Sequence, residues 1–219
     1  MVIMYPSGNL FIEAPHGRLE AILKEPRVER PSGVALVLHP HPLGGGTMHN
    51  KVVFRASSAL NEAGLVTLRF NFRGVGQSTG EHDEGRGEIE DALAALAFLA
   101  ERYEGAPLTL AGFSFGARVG MEVGITERRV LRLISIGTPV DKYDFSFLAQ
   151  CRKPILFVHG DRDEFGSLES LRAVVRLLPP EARARLEIIE NADHFFEGRL
   201  DALKRVITEF VESESRERQ

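Results

Sequence analysis

Cysteine occurs once in the 219 residues and tryptophan not at all. A lone thiol cannot close an intramolecular disulfide, and it cannot supply the paired cysteines of a cysteine-rich zinc site. A reducing compartment follows as the expectation. Positive charge is not in excess either: 27 Lys and Arg stand against 31 Asp and Glu, for a net charge of -4. Such a balance gives no electrostatic footprint for nucleic acid or an anionic membrane. No apolar run approaches the roughly 20 residues that span a bilayer. The first residues also lack the basic segment and apolar stretch of a secretory signal. The cytoplasm is the expected location. Repeats, low-complexity blocks and long linkers are missing as well, so a single domain over 1–219 is expected, with 212–219 a frayed charged tail.

What is present is an alternation of two periodicities. Asn9–Glu13 and Arg18–Lys24 flank Pro15-His16-Gly17 and predict an antiparallel hairpin. Continuous apolar runs at Val34–Leu38, Leu65–Phe70, Pro107–Ala111, Val130–Ile136 and Pro154–Val158 predict strands buried on both faces, with a last strand at Arg185–Ile189. Between them, apolar residues at helical spacing mark helices around Val52–Leu60, Ile89–Leu99, Ala117–Val123, Leu168–Leu178 and Leu200–Phe210. Strands alternating with helices require right-handed crossovers, hence an α/β fold with a doubly wound, mostly parallel sheet. In such sheets the site lies beyond the carboxyl ends of the strands. The loops to search are those after Leu38, Phe70, Ala111, Ile136, Val158 and Ile189.

The loop after Ala111 reads Gly112-Phe113-Ser114-Phe115-Gly116, between an apolar strand and a helix. This is the pattern of a nucleophile elbow, a sharp turn that raises a serine hydroxyl clear of the sheet beside a helix N-terminus. Serine is a poor nucleophile at neutral pH and needs a base within reach, with a group to orient that base. The loop after Val158 offers Asp161 and Asp163, and the loop after Ile189 offers His194. Chain order is then Ser, acid, His. Asp161 follows the turn glycine and could cap that turn. Asp163 has the longer reach and is preferred as the acid. His159 is a rival base, but it precedes the acid at a strand end, where packing suffices to explain it.

The loop after Leu38 reads His39-Pro40-His41-Pro42-Leu43-Gly44-Gly45-Gly46. Its expected duty is one backbone N–H for an oxyanion, with the N–H of Phe115 as the other. Prolines have no N–H, which leaves His41 and Leu43. A zinc cluster of His39, His41 and His49 is the competing idea, but no carboxylate or cysteine accompanies them at close spacing, and no metal or other cofactor is expected.

The stretches HPHPLGGGTMHNKVV, LRFNFRGVGQSTG, LAGFSFGA, FVHGDRDE and NADHFF together resemble a small, lidless branch of the α/β-hydrolase superfamily related to the dienelactone hydrolase group. The resemblance covers nearly the whole chain. It implies an α/β-hydrolase fold without a cap domain, with Ser114, Asp163 and His194 as triad and Phe115 and the HPHP loop at the oxyanion hole. Dienelactone hydrolases proper carry cysteine at the elbow, where Ser114 stands here. Cys151 precedes a strand without the elbow glycines and is read as packing.

The expected reaction is hydrolysis of a small-molecule carboxylic ester through an acyl-enzyme. Thioester or amide cleavage, perhydrolysis, and ligand binding without turnover are the alternatives. Only 137–153 connects the strand after the nucleophile helix to the next, too short for a helical lid. Leu43, Phe145, Phe147, Phe165 and Phe195 are the residues expected to wall the substrate, although Phe145 or Phe147 could instead pack as core. A homodimer is left open, as is a cover supplied by a second subunit.

Overall fold

Apolar runs that alternate between two faces build the sheet. In Gly33–Leu38, Val34, Leu36 and Leu38 enter one buried cluster, while Ala35 and Val37 enter another across the sheet. This is the period of two that a strand imposes when both faces are covered. The computed structural model of the chain describes residues 8–216. Its strands are β1 (Gly8–Ala14), β2 (Gly17–Lys24), β3 (Gly33–Leu38), β4 (Leu65–Phe70), β5 (Leu108–Phe113), β6 (Val130–Ile136), β7 (Ile155–Gly160) and β8 (Arg185–Ile189). Its α-helices are α1 (Lys51–Glu62), α2 (Arg86–Arg102), α3 (Phe115–Thr126), α4 (Leu168–Val175) and α5 (Leu200–Arg216).

The strands form one sheet in the order β1-β2-β4-β3-β5-β6-β7-β8. The β1–β2 hairpin joins antiparallel, pairing with β4, and the six strands from β4 to β8 are parallel. From β3 the chain steps out to β4, then crosses back over β3 to β5. Strand order therefore reverses between β3 and β5, the switch point where the strand ends open a crevice. Helices α1 and α5 cover one face with Val52, Ala56, Leu60, Leu203, Ile207 and Phe210. On the other face α2, α3 and α4 contribute Leu96, Leu99, Val119, Met121 and Leu171. Each helix thus spends its apolar stripe on the sheet.

Local chemistry sets several boundaries. Asn50 caps α1 by accepting the Val52 N–H at 2.9 Å, and Gly64, at φ 88°, turns the chain after it. Lys153 places its ammonium on the carbonyls of Gly124 and Glu127 at 2.6 Å each, satisfying the carboxyl end of α3 with positive charge. Several boundaries differ from the sequence reading, strand β5 running on to Phe113 among them, and three of the differences have a clear local cause. Strand β7 continues through His159 and Gly160, because Gly160 still pairs with Ile189 of β8. Helix α4 stops at Val175, and 176–178 go on as hydrogen-bonded turns before the two prolines. The tail expected to fray from Glu212 is instead helical through Arg216. Glu214 is buried there and paired with Arg183 at 2.6 Å, and Ser213 donates back to the Phe210 carbonyl. Residues 217–219 lie outside the described ones.

The segment 73–85 wraps the strand ends and is tied to α2 by a buried ion pair. Arg73 donates to Asp91 through Nε at 3.1 Å and Nη2 at 2.8 Å, and also reaches Glu90 at 3.0 Å. Gly87 is needed beside it, since a Cβ there would fall on the guanidinium. Asp91 also accepts the Arg73 backbone N–H at 2.9 Å, so one carboxylate fixes both ends of the residue. Removing Asp91 would leave the guanidinium buried without its main partner. Asp91→Ala is expected to lower unfolding free energy by about 3–5 kcal/mol, measured by urea denaturation at neutral pH.

Candidate active site

At the end of β5 the chain must leave the sheet and start α3 within one residue. Ser114 makes that turn with φ 55° and ψ -120°, outside the ordinary allowed regions for a residue with a side chain. The flanking glycines have a steric cause. A Cβ on Gly112 would strike the Gly116 carbonyl, and one on Gly116 would strike the carbonyls of Leu38 and His39. The first turn of α3 is thereby pressed against the end of β3, and the hydroxyl stands at the mouth of the switch-point crevice.

Two other loops meet this hydroxyl. His194 stands with Nε2 2.9 Å from Ser114 Oγ and Nδ1 2.8 Å from Asp163 Oδ2. A carboxylate can only accept, so Nδ1 carries the proton and Nε2 is left to accept from serine. Both side chains of the His194–Asp163 pair are buried. The second Asp163 oxygen accepts the Phe165 N–H at 2.8 Å, which fixes the carboxylate. Asp161 lies elsewhere: it accepts the Ala192 N–H at 3.2 Å and stitches the loops after β7 and β8 together. His159, the rival base, is fully buried and bonded through Nε2 to the Gly166 carbonyl at 2.6 Å. Burial pushes its imidazole pKa down, against the opposing pull of Asp163 at 3.7 Å. It braces the acid loop from below.

The His194 ring is boxed by aromatic rings, with centroids of Phe165 at 4.4 Å, Phe113 at 4.9 Å and Phe195 at 5.3 Å. Gly137, just past β6, approaches the same ring; with φ 53° and a Cβ position 3.2 Å from His194 Nδ1, only glycine fits.

The loop after β3 closes the other side. His39 is buried, with Nε2 accepting the Phe72 N–H at 2.9 Å and Nδ1 donating to the Pro40 carbonyl at 2.7 Å. Both nitrogens are committed, so His39 is not available to a metal as the sequence had left open. Among the described residues no three His, Cys, Asp or Glu side chains stand together to hold a metal ion. The two oxyanion candidates part company here. The Leu43 N–H donates to the His41 ring at Nδ1, 3.2 Å away. The N–H groups of His41 and Phe115 have no acceptor among the described residues. Partial burial, then the nearby His82, pushes the His41 imidazole pKa down.

These loops enclose a cleft of about 160 Å³ in which Ser114 and His194 are flanked by His41, Gly44–Gly46, Phe165 and Phe195. Of the five walls expected from sequence, Phe165 and Phe195 line it. Leu43 points out to solvent at 78% exposure. Phe145 and Phe147 are a correction: Phe145 is buried in the core and stacks on Phe147 at 5.8 Å, while Phe147 lies under the Arg118 guanidinium. The short 3-10 turn Ser146–Gln150 packs its aromatics back on α3 rather than across the cleft. The glycines 44–46 and Asn50 line the cleft without having been singled out. Their signals in the sequence are a position on the loop at the carboxyl end of β3 and membership of the stretch HPHPLGGGTMHNKVV.

A strained serine between β5 and α3, hydrogen-bonded to a histidine and an aspartate from later strand ends, defines the class of α/β serine hydrolases. The chain belongs to the α/β-hydrolase family described as "Alpha/beta hydrolase domain", which it matches over residues 33–209. It is similar to an alpha-beta serine hydrolase homologue from Coxiella burnetii, with 39% identity, a TM-score of 0.89, and coverage of 94% of this chain and 99% of that one. It also resembles XC6422 from Xanthomonas campestris, an α/β serine hydrolase without lid, at 32% identity and TM-score 0.88 over 97% of both chains. The uncharacterized protein RP471 of Rickettsia prowazekii (strain Madrid E) is 38% identical over 211 residues, 93% of this chain and 88% of that protein. The fold is thus that of the small lidless branch. No helix of the described residues is long and apolar enough to cross a membrane.

The buried His39 makes stability depend on pH. Burial lowers its pKa from 6.5 to about 4, despite the Pro40 carbonyl and Glu88. Between those values the unfolded chain binds a proton that the native fold refuses, so stability rises with pH through this window. Its contribution is lost as pH falls from about 6.5 toward 4, by up to about 3 kcal/mol. Urea denaturation at pH 7 and pH 4.5 should show that slope, and His39→Gln should flatten it while lowering stability at pH 7.

Proposed function

We propose that the chain is a serine hydrolase of short-chain carboxylic esters that works through an acyl-enzyme on Ser114. The observation that carries this reading is the unbroken line Ser114 Oγ–His194 Nε2, His194 Nδ1–Asp163 Oδ2, at 2.9 and 2.8 Å. As Ser114 Oγ attacks the carbonyl carbon, His194 Nε2 takes the hydroxyl proton. Asp163 holds the Nδ1–H tautomer and stabilises the imidazolium that forms. The N–H groups of His41 and Phe115 receive the negative charge that develops on the carbonyl oxygen. The imidazolium then gives its proton to the departing alkoxide. Water repeats the cycle on the acyl-enzyme, with His194 as base, and releases the acid. The unspent donors at His41 and Phe115 support the oxyanion role; Leu43, whose N–H is engaged by the His41 ring, drops out of it.

The three groups act as one unit, so their losses should not add. Ser114→Ala and His194→Ala are each expected to lower kcat by several orders of magnitude with the fold intact by circular dichroism, and the double variant by little more. Asp163→Asn should cost less than either but far more than Asp161→Asn. Kinetics on p-nitrophenyl acetate would check this, and a damaging Asp161→Asn beside a mild Asp163→Asn would reverse the assignment of the acid.

The cleft also bounds the acyl group. With Phe165 and Phe195 as its apolar walls and no cap above it, it shelters only the first methylenes, each worth about 0.8 kcal/mol. Further carbons stay in water. Across p-nitrophenyl esters, kcat/KM is expected to peak at about two to six acyl carbons by that reasoning, with no jump in rate on a lipid emulsion. A maximum at long chains would require a cover from a second subunit.

A further inference from the structure

Beyond Phe195 the cleft opens into a second one. It has a volume of about 410 Å³, is lined by Thr47, His49, Asn50, Lys51, Phe195 and Glu197, and shares Gly45, Asn50 and Phe195 with the first. The two clefts adjoin at these three residues, with Ser114 in the first alone. Their chemistry differs. The first is walled by aromatic rings and glycines, while the second carries a hydroxyl, an imidazole, an amide, an ammonium and a carboxylate over one aromatic ring.

The side on which the second cleft lies matters because His194 has two tasks. It takes the proton from Ser114 Oγ and returns it to the alkoxide oxygen as the carbonyl C–O bond breaks and the acyl group stays on Ser114. The leaving oxygen must therefore lie within reach of His194 Nε2. Phe195 follows His194 directly in the chain and is the wall common to both clefts. An alcohol that leaves beside His194 runs over the Phe195 ring and into the second cleft.

Charge selects the alcohol. Lys51 and Glu197 stand 3.8 Å apart and offset each other, so the wall carries both signs and no excess of either. An anionic or cationic group would meet one friendly and one hostile charge. A neutral group with several hydroxyls can donate to the carboxylate and accept from the ammonium at once. Asn50 adds to this: its Oδ1 is used on the Val52 N–H, which leaves its NH₂ as a donor. Phe195, 47% exposed, gives the C–H face of such a group an apolar platform.

We propose that the second cleft is an alcohol subsite for a neutral polyhydroxylated group, a glycerol or a sugar, so that the substrate is a small acyl ester of a polyol. This rests on the esterase reading of Ser114. The test compares two esters with the same acyl group, propyl propionate and 1-propionylglycerol, by pH-stat on the full chain. The glycerol ester is expected to show a kcat/KM about tenfold higher or more, the scale of one or two hydrogen bonds, expressed mainly in KM. Lys51→Met and Glu197→Gln alter exposed side chains, and each should reduce that ratio severalfold. Equal kcat/KM for the two esters, or variants that lower both in proportion, would overturn the subsite while leaving the esterase reading in place. Hydrolysis of neither ester by a folded protein would overturn that reading, and the subsite with it.

Discussion

The closeness of three backbone segments governs this molecule. Helix α3 begins so near the end of β3 that Gly116 faces the carbonyls of Leu38 and His39 with no room for a Cβ, and Gly112 faces Gly116 in the same way. Ser114 bears the cost in a φ of 55°. Such strain persists only where surrounding structure over-determines it. Here the parallel register of β3 with β5 and the bond from the Ser114 N–H to the Ile136 carbonyl provide that restraint. Phe115, which opens α3, and His41, on the loop after β3, stand on the two segments that this approach brings together. The strained serine and the segments carrying the candidate oxyanion donors are consequences of one packing contact.

Around that contact the polar groups are arranged so that each buried imidazole has a fixed duty. His39 ties the β3 loop to the start of the segment after β4, through the Phe72 N–H. His159 ties β7 to the loop carrying Asp163, through the Gly166 carbonyl. Burial keeps both neutral. Of the three histidines buried at these strand ends, His194 alone has a free-standing hydroxyl on one side and a carboxylate on the other. Hydrogen-bond partners thus separate the two bracing histidines from His194, although all three come from the carboxyl ends of strands or the loops just after them.

Much of this was legible in the sequence for a physical reason: strands buried on both faces and helices with one apolar stripe write their periods directly into the chain. The order β3 to β8, the elbow and the Ser–Asp–His order followed from that. The choice between Asp161 and Asp163 did not, because two carboxylates two residues apart differ only in where the backbone aims them. The end of β7 was also hidden, since His159 and Gly160 are not apolar yet keep their ladder with β8. Phe145 and Phe147 were placed at the cleft with core packing left open for one of them, and both belong to the core side of a 3-10 turn. An aromatic in a short connection can satisfy either surface, and only the direction of the turn decides. Glu212–Arg216 looked like a charged tail, but its helix is held by tertiary contacts to Arg183 and Arg132, residues distant in sequence.

The short connection from β6 to β7 has a kinetic meaning. Enzymes that close a lid over their substrate surrender part of their turnover time to opening it again. Among the described residues nothing of that kind covers the cleft: the 3-10 turn packs on α3, and the cleft meets solvent directly. Under the proposed ester hydrolysis, acid and alcohol would leave by diffusion from a shallow surface. Bond making at the carbonyl carbon would then set the clock of that proposed cycle. The shelter that a lid would give falls to the three phenylalanine rings around His194.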